Sequence, residues 1–197
     1  MLHFISILKK IFKINLLFLS SYALAKDITS YNEIRNFNVI RQTKDNSCGA
    51  AALATILKYK FNIHNVNEEI ILSKMKNPDK EASFFELKKI SNIFNINAIG
   101  LALTINELLN IKKPVIAYVN TTLNNDHFVI INGFNKNTIL ISDPAVGNYS
   151  LSISDFEKIW SLRDNGKGDI LYLYNDSMDA VEFIENFEKK HRIFLKK

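Results

Sequence analysis

The order of helix-type and strand-type segments is the feature of this sequence that most constrains its fold. The first half of the chain carries helix-forming segments, whereas β-branched and aromatic runs separated by polar turns dominate the second half. Helices followed by antiparallel strands are typical of an α+β domain rather than of alternating parallel βα units. We therefore expect an N-terminal helical part packed on a C-terminal antiparallel sheet.

Capping residues and periodicity divide the chain into elements. A lead-in over 26–38 is expected to be irregular, and 39–43 is expected to be a short strand or extended piece. Helices are predicted at 48–60, 67–75, 83–94, 104–107 and 154–160, because Ser, Thr, Asn or Asp precedes or opens each of them. Strands are predicted at 114–120, 127–134, 138–143 and 169–174.

Cys48, the only cysteine, is the first candidate for chemistry. One cysteine excludes an intrachain disulfide framework and a multi-thiolate metal site. Cys48 stands at the predicted start of an Ala-rich helix, where the amide dipoles favour a thiolate. Its neighbours Ser47 and Gly49 are small or polar, so that we expect the thiol to be accessible. The other interpretation is a buried, unreactive cysteine.

A thiolate nucleophile needs a base, and the base needs a group that orients it. His127 begins a predicted strand and is the candidate base, although it could also be a structural histidine. Asp143 ends the next strand and is the candidate orienting group. Asp126 is the alternative, but neighbours on a strand point to opposite faces, which favours Asp143. Gln42 precedes Cys48 by six residues and is a candidate donor to an oxyanion, together with the Cys48 N–H.

The first 25 residues predict a secretory signal peptide. Lys9, Lys10 and Lys13 precede a short apolar run that ends in Ala-Leu-Ala, and cleavage is expected after Ala25. An uncleaved anchor is the alternative. We expect the mature protein to be periplasmic or otherwise exported, without stable membrane insertion.

Residues 26–197 are expected to form a single domain. Its core is predicted over 39–174, and 176–197 is predicted to be a C-terminal helix or tail. Most of the net charge of +5 comes from the first 25 residues, which hold three of the 25 basic residues and no acidic one. The remaining lysines are scattered, which argues against nucleic-acid binding. No cluster of His, Asp and Glu has ligand spacing, so that neither a metal nor a cofactor is expected.

The segments around these candidates resemble the bacteriocin-processing, double-glycine-leader cysteine peptidases, a papain-like family. The resemblance lies in 42–53 around Cys48, in the His-Phe-Val-Ile run from His127, in the Asp-Pro segment 141–147 and in 154–160. It covers about 39–174. Ser47 departs from the family, which often has Asp directly before the cysteine.

The resemblance implies a papain-like fold and an exported, stand-alone cysteine peptidase. In it Cys48 is the nucleophile, His127 the base, Asp143 the orienting acid and Gln42 the oxyanion donor. The implied substrate is a protein or a leader peptide cut after Gly-Gly, and the implied partner is a secretion or surface-fibre system. Two alternatives stay open: a transferase that uses the same thiolate, and a non-catalytic module that binds a leader peptide or an export partner.

Overall fold

The computed structural model describes residues 30–120 and 126–175. The predicted signal peptide and the predicted C-terminal helix lie outside these residues. The described residues from Arg35 onward belong to one compact unit. The helices are α1 Tyr31–Asn36, α2 Cys48–Lys60, α3 Glu68–Leu72, α4 Phe84–Ile93, α5 Ile105–Leu108 and α6 Ile153–Trp160. The strands are β1 Asn97–Leu103, β2 Val115–Asn120, β3 Asp126–Phe134, β4 Thr138–Asp143, β5 Gly147–Ser152 and β6 Gly168–Tyr174.

Helix α2 begins at Cys48, as predicted, and it is buried over its first ten residues. Its small side chains let neighbouring segments approach closely. A Cβ built on Gly49 would lie 2.8 Å from Ala82 Cβ and 3.1 Å from Phe128 Cδ2. The glycine therefore allows strand β3 and the segment before α4 to pack directly on the first turn of α2.

Side-chain caps start four of the other helices. Asn67, Ser83, Thr104 and Ser152 each accept a hydrogen bond from the backbone N–H three residues later. The predictions at Ser83 and Thr104 are thus confirmed, whereas α3 is shorter than predicted. Helix α6 begins at Ile153, one residue earlier than predicted, and its cap is Ser152 rather than Ser154.

Helix α1 corrects the expectation of an irregular lead-in. The Ser30 hydroxyl accepts from the Glu33 N–H, and the Glu33 carboxylate accepts from the Ser30 N–H. This reciprocal pair is a capping box, which stabilises the first turn of a helix.

The six strands form one antiparallel sheet in the order β1-β6-β2-β3-β4-β5. Strands β2, β3, β4 and β6 match the predictions closely. The two edge strands, β1 and β5, were not predicted. Strand β1 is rich in small residues and pairs with β6, which lies far along the chain, and β5 is largely polar.

The sheet separates two hydrophobic cores. Alternate residues of β2, β3 and β6 enter different cores, as the two-residue period of a strand requires. The helix-side core contains α2, α4 and the inward residues Ile116, Phe128 and Ile130. The outer core contains Trp160 and Phe156 of α6 against Ala117 and Ile131. Within 30–120 and 126–175, no helix has both the length and the hydropathy to cross a bilayer.

Candidate active site

Cys48 lies at the N-terminus of α2 and is only 3% exposed. The expectation that its small and polar neighbours leave the thiol accessible is therefore wrong. Because the residues beside Cys48 are small, Ala82 and Phe128 pack directly on the first turn of the helix. The thiol is thus enclosed at the end of the helix-side core.

His127 connects the thiol to a carboxylate. Strands β3 and β4 pair with Ile130 opposite Ser142, which brings the start of β3 beside the end of β4. His127 Nε2 lies 2.8 Å from Asp143 Oδ1, and the two side chains are 12% and 7% exposed. Cys48 lies near enough to His127 to contribute to the raised pKa of the imidazole. Because Nε2 faces Asp143, Nδ1 is the ring nitrogen left for Cys48.

The two partners of His127 favour its charged form. Burial alone lowers the pKa of His127, but the hydrogen bond to Asp143, the interaction with Cys48 and the negative charges of both raise that pKa to about 9. At neutral pH the imidazole is therefore protonated, which is the state that a thiolate–imidazolium pair requires.

Asp143 is held as an anion by a turn that closes on it. Its Oδ1 accepts from the backbone N–H of Ala145 at 2.7 Å and of Val146 at 3.3 Å, in addition to His127. Burial raises the pKa of Asp143, but the hydrogen bond and charge of His127 and these two amides lower it overall. The Tyr149 hydroxyl donates to Oδ2 at 3.4 Å.

Asp126, the alternative orienting acid, points elsewhere. Its Oδ1 accepts from Asn120 Nδ2 at 3.0 Å. Burial first, and then the interaction with Asp126, raise the pKa of Tyr118. The geometry therefore pairs His127 with Asp143 and leaves Asp126 exposed at the start of β3.

Gln42 does not have the orientation that an oxyanion donor needs. Its Nε2 donates to the carbonyls of Lys44 at 2.9 Å and Asp45 at 3.3 Å. Its Oε1 is buried and has no hydrogen-bond partner among the described residues. The amide is thus committed to its own loop, and its role as an oxyanion donor stays a prediction.

The loop that carries Gln42 is fixed by its backbone amides. The N–H of Gln42 donates to Pro144 O at 3.0 Å, and the N–H of Lys44 donates to Ser47 Oγ at 3.1 Å. The N–H of Thr43 donates to Glu68 Oε1 at 2.9 Å. Glu68 is a buried carboxylate that we did not single out from the sequence, where it is one of two acidic residues in the first turn of a short helix. The first N–H groups of a helix have no acceptor within the helix. The Cys48 N–H, at the start of α2, is therefore the nearby backbone donor that remains for a ligand.

Three aromatic rings pack together on the helix side of the sheet. Phe84 and Phe128 are 5.2 Å apart in an edge-to-face arrangement, and Tyr118 lies 5.3 Å from Phe128. Cys48 is the last of the causes that raise the pKa of Tyr118, after burial, Asp126 and Glu81, which places Tyr118 in the neighbourhood of the thiol. The sequence analysis did not single out these aromatic residues as neighbours of the site.

The remaining ionisable candidates do not join this site. His64 is exposed after α2, and His3 and His191 lie outside the described residues. In the described part of the chain, no group of three His, Cys, Asp or Glu side chains is arranged to hold a metal ion.

Comparison with known proteins places the fold and the motifs in one family. A sequence model described as the Peptidase C39 family matches residues 36–163. The chain is 32% identical over 142 residues to the probable functional amyloid protease FapD of Pseudomonas fluorescens. That match covers 69% of this chain and 62% of FapD, so that the chain spans less than two thirds of the relative's length.

Solved structures have the same architecture. A double glycine motif protease from an AMS/PCAT transporter, crystallised with the leader peptide, has a TM-score of 0.57 and 25% identity, over 70% of this chain and 90% of that one. The peptidase domain of Streptococcus ComA has a TM-score of 0.60 over 70% of this chain and 98% of that one. At 17% identity, the ComA match supports the fold alone.

The mixed helices and antiparallel sheet, with a cysteine at a helix start and a histidine on a strand, define a papain-like cysteine peptidase domain. Within that class, the chain belongs to the Peptidase C39 family.

Proposed function

We propose that this protein hydrolyses a peptide bond of a protein or leader peptide, with Cys48 as nucleophile, His127 as general base and acid, and Asp143 as the orienting group. The observation that carries the proposal is the pairing of His127 Nε2 with Asp143 Oδ1 at 2.8 Å, with Cys48 near enough to the same imidazole to raise its pKa. Asp143 orients the imidazole and stabilises its charge, in the way that the acid of a nucleophile–histidine–acid triad does.

The reaction proceeds through an acyl-enzyme. The Cys48 thiolate attacks the carbonyl carbon, a C–S bond forms and the carbonyl π electrons move to oxygen. When the intermediate collapses, the C–N bond breaks and the His127 imidazolium gives its proton to the leaving amine. A water molecule then attacks the thioester, His127 takes its proton, and the C–S bond breaks to release the acid and the thiolate.

The developing oxyanion needs donors beside the sulfur. We assign one of them to the Cys48 N–H, which lies at the positive end of the α2 dipole. The Gln42 side chain becomes the second donor if its amide leaves the carbonyls of Lys44 and Asp45 when substrate binds. The Gln42→Ala variant should then lose about 10²–10³-fold in kcat. Retained kcat would exclude Gln42 from the oxyanion site.

The decisive test of the peptidase proposal is Cys48→Ala. A thiol-directed probe should label the wild-type protein at Cys48, and the wild type should cleave a peptide substrate while the variant neither reacts nor cleaves. Cleavage by Cys48→Ala at the wild-type rate would overturn the proposal. Product analysis with an added amine separates hydrolysis from acyl transfer, because only a transferase gives the amide in place of the acid.

We further propose that cleavage follows a Gly-Gly pair. The solved relative is a double glycine motif protease in complex with a leader peptide. In the present chain Cys48 is 3% exposed and aromatic side chains lie beside it, so that residues without side chains have the easiest approach. Peptides that differ only in Gly-Gly against Gly-Val at the cleavage site should differ in kcat/KM by tenfold or more. Equal rates would contradict this specificity.

Export is the remaining part of the proposal. The residues up to Ala25 have the pattern of a cleavable signal peptide, and the curated relative is a probable functional amyloid protease. We propose that the mature chain acts in the periplasm on a protein of a secretion or surface-fibre system. N-terminal sequencing of the protein recovered from cells should begin at Lys26, and a start at Met1 in the cytosolic fraction would contradict export.

A non-catalytic peptide-binding module is the second candidate function. The low exposure of Cys48 and the commitment of the Gln42 amide to its loop favour it, because both describe a closed site. This function predicts tight peptide binding that Cys48→Ser leaves unchanged, without turnover. Cleavage that depends on Cys48 would exclude it.

A further inference from the structure

Arg41 forms an unusual set of contacts beside the candidate active site. Its Nε donates to Pro144 O at 3.0 Å, and its Nη2 donates to Ala145 O. Its Nη1 donates to Asn36 Oδ1 at 2.8 Å. Three nitrogens of one guanidinium are therefore engaged, and two of them bind successive carbonyls of the turn that follows Asp143.

The two peptide groups that accept from Arg41 are the same two that donate to Asp143. The peptide between Pro144 and Ala145 presents its C=O to Arg41 and its N–H to Asp143 Oδ1. The peptide between Ala145 and Val146 does the same. Each peptide dipole thus lies between a cation at its oxygen and an anion at its N–H. Hydrogen bonds arranged in such a series polarise and strengthen one another.

Arg41 also joins this turn to the loop before Cys48. The next residue, Gln42, donates its N–H to Pro144 O, which Arg41 Nε also binds. The two segments are 103 residues apart in sequence. One guanidinium therefore fixes the loop that leads to the nucleophile against the turn that carries the acid.

We propose that Arg41 is a positioning residue for the Cys48–His127–Asp143 reaction, which acts by holding the 144–146 turn so that its amides keep the Asp143 carboxylate aimed at His127. The inference rests on the proposed function for its effect on turnover. Its effect on the thiol can be measured without turnover.

The proposal gives a direction for each measurement. Without the guanidinium, the carbonyls of Pro144 and Ala145 lose their charged donor, and the turn keeps only the Gln42 N–H on Pro144 O and Arg35 Nε on Val146 O, so that it holds Asp143 less firmly. His127 then loses part of the charge and hydrogen bonding that keep it protonated; Asp143 and Cys48 are the groups that face it. The imidazolium should therefore lose its proton at a lower pH than in the wild type.

The test combines alkylation of Cys48 by iodoacetamide over a range of pH with kcat and KM on a peptide substrate. For Arg41→Ala we expect the upper pH limit of the thiolate–imidazolium state to move down. We expect kcat to fall about 10- to 100-fold with a smaller change in KM, which is the range for losing hydrogen bonds from a charged group. Arg163→Ala is the matched control, because it removes an arginine whose partner is Asp169, on a different segment.

Arg41→Lys keeps the charge but cannot donate to two carbonyls in a fixed fork, so that its pH limit should lie between those of wild type and Arg41→Ala. If Arg41→Ala does not fold, the pH profile of Arg41→Lys decides.

A variant that melts at lower temperature with an unchanged alkylation profile and kcat would overturn the proposal, because Arg41 would then be only structural. If the wild type does not cleave peptides but the alkylation profile still moves with Arg41, the proposed function fails and the positioning role stands.

Discussion

The two faces of the sheet differ in what their side chains do. The helix-side core contains Cys48 at the start of α2, where its neighbours in the helix are small, and His127 and Asp143 lie at neighbouring strand ends. The outer core contains the largest buried aromatic side chains. Trp160 and Phe156 of α6 are fully buried there and stack with ring centroids 5.5 Å apart.

This difference separates stability from reactivity within one domain. Large apolar side chains contribute several kcal/mol each when they are buried, and the outer core concentrates them in α6. The helix side has small residues in α2, which bring backbone and thiol close to the sheet. We therefore expect changes in the outer core to alter stability without altering chemistry, and exchange of the Cys48 thiol to do the reverse.

Cys48→Ser should have the largest effect on activity. The variant exchanges one atom, and its hydroxyl keeps a hydrogen-bond partner in His127, so that the free energy of unfolding should change by less than about 1 kcal/mol. A serine hydroxyl is a far weaker nucleophile here, and kcat/KM should fall about 10⁴-fold. Peptide cleavage and chemical denaturation measure the two quantities. A large loss of stability would break the separation between the faces.

Trp160→Ala should have the largest effect on stability. Trp160 is fully buried, and its Nε1 donates to Asp169 O at 3.1 Å. We expect the variant to lose about 3–5 kcal/mol of unfolding free energy. Activity per folded molecule should stay near that of the wild type. Leu162→Ala, at a position that is 45% exposed, is the control and should change stability by less than about 0.5 kcal/mol.

Asp143→Asn tests the electrostatics of the candidate active site. The amide oxygen can still accept from His127 and from the turn, but the negative charge is gone. In the wild type, kcat/KM should fall as pH rises through about 9, because His127 then loses the proton that it gives to the leaving amine. In the variant this alkaline limb should move to lower pH, since one cause of the raised pKa of His127 has been removed. An unmoved limb would mean that another group titrates there.

Gly49→Ala should reduce both stability and activity. The added Cβ would lie 2.8 Å from Ala82 Cβ, and neither atom can swing away. Overpacking of this kind costs about 1–3 kcal/mol, offset in part by the better helix propensity of Ala. Gly100→Ala is the matched control, because its nearest neighbour is Ile170 O at 4.0 Å. A stable, fully active Gly49→Ala would mean that the first turn of α2 is not packed as described.

Ser152→Ala should have the smallest effect. Its hydroxyl accepts from the Asp155 N–H at 3.1 Å at the start of α6, and loss of such a cap costs about 1 kcal/mol. Ser154→Ala, at the position that the sequence favoured as the cap, should cost less than about 0.5 kcal/mol. Thermal melts of the two variants compare them directly, and the reverse order would move the cap back to Ser154.

The elements that could be predicted from the sequence are those with local signals. Ser83 and Thr104 each cap a helix through a hydrogen bond to the backbone N–H three residues later. The segments of β2, β3 and β4 are rich in β-branched residues. Strands β1 and β5 have weak local signals and depend on partners: β1 is rich in Ala and Gly and pairs with β6, about 70 residues away. Tertiary pairing, rather than propensity, defines them.

The same distinction applies to the site. Motif order pointed to Cys48, His127 and Asp143, and the structure brings these three side chains together. The burial of Cys48, the loop contacts of Gln42 and the contacts of Arg41 and Glu68 depend on segments far apart in the chain, and no spacing in the sequence indicates them.

The enclosure of Cys48 also affects how the protein withstands oxidants. A thiolate moves through sulfenic to irreversible sulfinic and sulfonic acids at a rate that depends on its access to peroxide. This chain has no second cysteine that could trap the sulfenic acid as an intrachain disulfide. At 3% exposure Cys48 meets oxidants rarely, but a sulfenic acid formed on it has no partner thiol in the sequence that could return it to the reduced state.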